Sequence, residues 1–179
     1  MDVAAWVATW PSDFAVEGGK SEPTYVEAIS ITRHGDVFAA LGGAPAWQDR
    51  SLETVVVDRA GGLHAGTCPT SVICRDAKPA VDFLASAALL AAYRAHRPLG
   101  RATPTAYGER EVLCLPAERI GVAEAVLDPC FDLATGAVLA QRSRLDGRFD
   151  GPSLDPGSIR ITIGPMATSG PTSRAERRP

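Results

Sequence analysis

The best prospects for chemistry in this chain fall in one short stretch. Residues 58–76, DRAGGLHAGTCPTSVICRD, hold His64, Cys68 and Cys74, which are one of three histidines and two of four cysteines, just ahead of the most persistent helical pattern in the sequence. Cys74 stands two residues before Asp76, a good helix N-cap. The free N–H groups and positive pole of the helix favour a thiolate there, the form of cysteine that attacks electrophiles, and Arg75 adds a cation. His64 is the nearest base, and Asp82 or Tyr93 on the following helical pattern could assist it. Cys74, His64 and Asp82 therefore define one reading, a cysteine-dependent enzyme. The competing reading is a hairpin entering a helix, with SVIC as an inward-facing strand end. The second takes precedence, because the carboxylate of Asp76 offsets the pull of the helix dipole on Cys74.

The same residues bear on metal. Tetrahedral zinc takes nitrogen and sulfur ligands contributed as close pairs. His64 and Cys68 are suitably spaced, but the gap from Cys68 to Cys74 is too wide for a zinc knuckle. His64, Cys68 and Cys74, completed by Cys114 or Cys130, are a fallback site only; no metal and no cofactor is expected. Cys114, in the apolar run VLCLP, reads as a small buried hydrophobe.

Three local resemblances deserve mention. Arg33-His34-Gly35 after a predicted strand resembles the motif of histidine phosphatases, which implies His34 as phosphoryl acceptor and a doubly wound layout. That family also needs a second histidine, and neither His64 nor His96 stands in a matching frame. LETVVVDRAGGLHAGTC followed by VLDPCFDLATGAV is similar to the hairpin and Pro-Cys segment of zinc deaminases, which implies Cys130 as a ligand. Leu133 stands where the next cysteine should ligate; Asp76, or Gly66 if His64 is used, stands where the proton-shuttling glutamate should be. The resemblance implies a degenerate deaminase-like domain. The order strand, Cys74, helix resembles ubiquitin-conjugating enzymes, but their His-Pro-Asn tripeptide is missing. No family is assigned on these grounds.

Composition sets the class. The chain has 179 residues, 45% of them hydrophobic and 22% charged, as in ordinary globular domains. A net charge of −3 gives no footprint for nucleic acid and no basic face for a membrane. The basic residues are 16 arginines, scattered, and two lysines, Lys20 and Lys78. MDVAAWVATWPSDF lacks the basic start of a signal peptide, and no apolar run approaches the length of about 18 residues that spans a bilayer. These features point to a cytoplasmic protein with reduced cysteines.

The elements that must position these residues are read from periodicity and turn chemistry. TYVEAISI, VFAALG, SLETVVV, LHAGT, REVLCL and SIRITI are predicted strands, and CFDLATGAVLAQ a hairpin about Thr135-Gly136. Residues 117–127 fit a helix or a strand, and 142–157 read as a long polar loop. One long buried helix is predicted over about 77–96, with Pro79 in its first turn, Pro98 beyond its end, and only Asp82, Ser86 and Tyr93 polar, on one narrow stripe. The result is an α+β fold, a mainly antiparallel sheet packed on that helix. Residues 1–23 form an N-terminal arm or short helix containing Trp6 and Trp10, 24–163 a single α+β domain, and 164–179 a disordered tail. The expected function is that of a small accessory or binding domain of chaperone, immunity or partner-binding type, acting on a protein partner.

Overall fold

In the computed structural model the described residues are 1–21, 26–43, 51–65, 81–121, 127–150 and 153–165. They form two antiparallel sheets rather than one, with few helices. The chain begins with a one-and-a-half-turn helix, α1 (Val3–Val7), capped by the Asp2 carboxylate, which accepts from the Ala5 N–H at 2.8 Å. A meander follows: β1 (Asp13–Ser21), β2 (Val26–His34), β3 (Val37–Gly43), β4 (Ser51–Val57) and β5 (Leu63–Ala65). After α2 (Val81–Arg94) a second meander runs through β6 (Thr105–Tyr107), β7 (Arg110–Cys114), β8 (Leu127–Asp132) and β9 (Val138–Ser143). The last strand, β10 (Arg160–Ile163), returns to the first sheet, giving the orders β10-β1-β2-β3-β4-β5 and β6-β7-β8-β9.

The first sheet alternates as a strand with one wet face must. Phe14 and Val16 of β1, Ile29 and Ile31 of β2 and Phe38 and Ala40 of β3 point into the core, while their sequence neighbours turn outward. The second sheet is different: residues 128–132 of β8 and most of β9 are buried on both faces. Helix α2 touches β3 and β4 of the first sheet and β9 of the second, so its nearly unbroken apolar surface has a partner on both sides.

Several expectations are corrected here. The predicted long helix over 77–96 is a 14-residue helix ending at Arg94, where His96 takes a positive φ of 55° ahead of Pro98. Its proposed N-cap Asp76, with Pro79, lies outside the described residues. The polar stripe is not a wet face at Ser86, which is fully buried and donates its hydroxyl to the Gly136 carbonyl at 2.6 Å. The stretch assigned to an N-terminal arm or short helix holds the short helix α1 and, after it, β1, which is flanked by β2 and β10 inside the first sheet. Residues 117–120 form a short 3-10 turn. The polar loop 142–157 is pinned to its surroundings: Leu154 is fully buried, its N–H donates to the Leu139 carbonyl at 2.8 Å, and its carbonyl accepts from the Tyr107 hydroxyl. Of the tail placed at 164–179, all but Gly164 and Pro165 lies outside the described residues.

Candidate functional site

The chemistry-bearing side chains gather at one end of the six-stranded sheet. The turns β2–β3 and β4–β5 lie there, beside the start of β1 and the last turn of α2, because the register sets Asp13 against His34, Val37 against Val56 and Val57 against Leu63. His64, on β5, has its Nε2 2.9 Å from Oδ2 of Asp58 across the β4–β5 turn. The other oxygen of Asp58 accepts the Ala60 and Gly62 N–H groups, both at 2.8 Å. These donors, the imidazole first, bring the Asp58 carboxyl down to about 2. One carboxylate thus closes the hairpin turn and orients an imidazole, which is the arrangement a general base needs.

A second pair repeats the geometry. His34 Nδ1 lies 2.5 Å from Asp13 Oδ1, and Asp13 is held below the usual carboxylate range by the Ser12 hydroxyl first and His34 second. The His34 side chain is 89% exposed, so nothing encloses a phosphoryl group there, and the antiparallel sheet is not the doubly wound layout that the Arg33-His34-Gly35 resemblance implies. Arg33 instead points inward. It is buried, lies 5.1 Å from the Phe38 ring centre, and donates to the carbonyls of Gly35 and Pro11, both at 2.9 Å. Burial lowers its pKa, with Arg94 nearby adding to the effect. Arg94 ties α2 to the same sheet end, donating to the carbonyls of Val57 and Asp58 and pairing with Asp36. That pairing holds the Asp36 carboxyl below its ordinary range.

Of the sequence-predicted site residues, His64 is placed on an exposed hairpin strand, and Asp82 is in the first turn of α2 with its side chain undescribed. Cys74 and Cys68 lie outside the described residues, and the geometry of the proposed set lies outside them too. Among the described residues no cluster of three or more histidine, cysteine, aspartate or glutamate side chains could hold a metal ion. Sequence reasoning missed Asp58 as the partner of His64, although the spacing DRAGGLH, an aspartate opening a Gly-Gly turn, carried the signal.

The cysteines that are described overturn a prediction. Cys114 and Cys130 stand directly opposite each other on β7 and β8 and form a buried disulfide. The reduced state does not hold for this pair, Cys114 is more than a small apolar side chain, and neither sulfur is free to complete a zinc site. The deaminase-like role of Cys130 goes with it. No helix among the described residues is long and apolar enough to cross a membrane. No family model, no curated protein and no solved structure matches this chain.

Proposed function

We propose that this chain is a small accessory domain that binds a protein partner and works in an oxidising compartment. The reading rests on how the reactive side chains are used. Asp58 and His64 close the β4–β5 turn, Arg33 and Arg94 tie the sheet end to Pro11 and α2, and Cys114 and Cys130 join two strands. Chemistry spent on architecture fits a scaffold that presents a surface. The disulfide supports the choice of compartment, because thiols in the cytosol are generally kept reduced and bridges persist where the surroundings are oxidising. This choice departs from the cytoplasmic expectation, which rested on the lack of a signal-peptide pattern and of a membrane-spanning run and carried reduced cysteines as its consequence.

The test is purification of the tagged protein at its natural level, followed by size-exclusion chromatography and mass spectrometry. A stoichiometric protein partner should co-elute and be retained by His64→Ala and Cys74→Ala variants. The runner-up, a cysteine enzyme, is favoured by one observation, the 2.9 Å contact that orients His64. An electrophilic probe that labels Cys74 only when His64 is intact, with no partner co-eluting, would replace the first reading by the second.

A further inference from the structure

A separate surface carries three arginines that have no ion-pair partner among the described residues. The loop after α2, the N-terminal segment and the 3-10 turn at Ala117–Ile120 meet on one side of the molecule. The Val3 N–H donates to the Gly100 carbonyl at 3.0 Å, Ala102 N–H to the Met1 carbonyl at 3.1 Å, and Asp2 bridges Arg101 in antiparallel fashion. Three exposed arginines, Arg97, Arg101 and Arg119, project from these segments. Two of them cross. Arg97, from the loop, reaches Gly121 at the end of the 3-10 turn, so closely that a Cβ added there would stand 2.9 Å from its Nη1. Arg119, from the 3-10 turn, reaches back to Gly100, where an added Cβ would stand 3.6 Å from its Nη1, and donates to the Arg101 carbonyl at 3.2 Å. The bare backbone of both glycines is what the guanidinium groups lie against.

None of the three has an ion-pair partner among the described residues, whereas Arg94, Arg110, Arg144 and Arg148 each have one. The nearby carboxylates are already engaged. Asp2 caps α1, and Glu118 is taken by Arg144, which also binds Asp128 at 2.6 Å; Arg119 is only the last of the influences that lower Glu118. Exposed guanidinium groups without an ion-pair partner can take up an anion, and their planar fork suits a carboxylate bidentately. The size of the patch selects the kind of anion. A chain of net charge −3 repels extended polyanions such as nucleic acid or an anionic bilayer, but a local group of three arginines matches a short acidic segment.

We propose that Arg97, Arg101 and Arg119 form the docking site for an acidic peptide segment of the partner protein. The inference rests on the binding-domain reading and deepens it. The test is fluorescence anisotropy of the folded protein with a labelled peptide of alternating Glu and Ser as probe. Binding should weaken steeply with salt, as screening of exposed charges demands. Arg97→Gln combined with Arg119→Gln should weaken it about tenfold or more, Arg119→Lys should keep part of it, and Arg148→Gln, whose guanidinium already pairs with Asp146, should leave it unchanged. Far-ultraviolet circular dichroism of each variant guards against loss of fold. Equal affinity in the double variant, or arginine-dependent binding of phosphatidylserine vesicles or single-stranded DNA in preference to the peptide, would overturn the proposal. A natural partner that co-elutes equally well with the double variant would also overturn it, while leaving the binding-domain reading intact.

Discussion

The two sheets solve the same problem by different means. The six-stranded sheet contains strands of nine and seven residues, so the pairings among β1, β2, β3 and β4 supply long ladders, and its core face alternates cleanly with a solvent face. The strands of the four-stranded sheet have between three and six residues, yet β8 and β9 carry the more deeply buried positions. Short strands buried on both faces cannot rely on ladder length, and here they are stapled. The disulfide joins β7 to β8. The Asp132 carboxylate gathers the Ala134 and Thr135 N–H groups and the Thr135 hydroxyl within the β8–β9 turn. Ser153 and Leu154 bind the outer edge of β9 through Gln141 and Leu139. The lesson is that tolerance to substitution should differ between the sheets, with single staples mattering more in the second.

The strongest challenge to that contrast is Gly136→Ala. Gly136 closes the β8–β9 turn at a φ of 77°, and an added Cβ would fall 2.2 Å from the Trp10 ring. Left-handed backbone strain and overpacking together should lower stability by about 4 kcal/mol. Chemical denaturation checks this, and a loss under about 1 kcal/mol would mean that Trp10 is not packed on the turn.

Removing the bridge comes next. Cys114→Ala with Cys130→Ala releases a cross-link between residues 16 apart in sequence, and should cost about 3 kcal/mol. Hydrogen exchange should localise the damage to β7 and β8 and leave the β1–β4 ladder protected. Uniform loss of protection would erase the distinction between the sheets.

A smaller effect is expected from Ser86→Ala, which removes the buried donor to the Gly136 carbonyl and should cost about 1 kcal/mol by thermal melting. An unchanged melting temperature would show that α2 does not help hold the second sheet's turn.

The smallest effect belongs to the first sheet. Asp58 has a folded pKa of about 2, below its ordinary 3.8. Its contribution is therefore present above about 3.8 and fades as pH falls through the folded value, since the unfolded chain takes up the proton first. Melting temperature against pH should show this loss between about pH 4 and 2, and Asp58→Asn should flatten that part of the curve. The pair is exposed, so the slope is shallow.

Much of this arrangement was legible. β-branched alternation located β2, β4 and β10, and turn chemistry located the hairpins at Gly35, at DRAGG and at Thr135-Gly136. β1 was hidden because Gly18, Gly19 and Lys20 break its pattern. Gly18 is there for a tertiary reason, since a Cβ would stand 3.1 Å from the Leu154 side chain. Leu154 was hidden in turn by the polar residues around it. The cross-strand bridge depends on the register that sets Cys114 against Cys130, which no local pattern encodes. The partnership of Asp58 with His64 was signalled locally by DRAGGLH and overlooked, whereas the meeting of Arg97 with Arg119 depends on two segments packed by tertiary structure.

The return of β10 to β1 also governs the order of assembly. Phe14 pairs with Ile163, so the chain must close a circuit of nearly its whole described length before the first sheet has its last neighbour. The entropy of closing so large a loop rises only slowly with length, but such distant pairing slows folding. During synthesis β1 therefore meets β2 early and waits with its other edge open until residues 160–163 have left the ribosome. The first sheet begins to form once β2 has emerged and is completed only when β10 has followed.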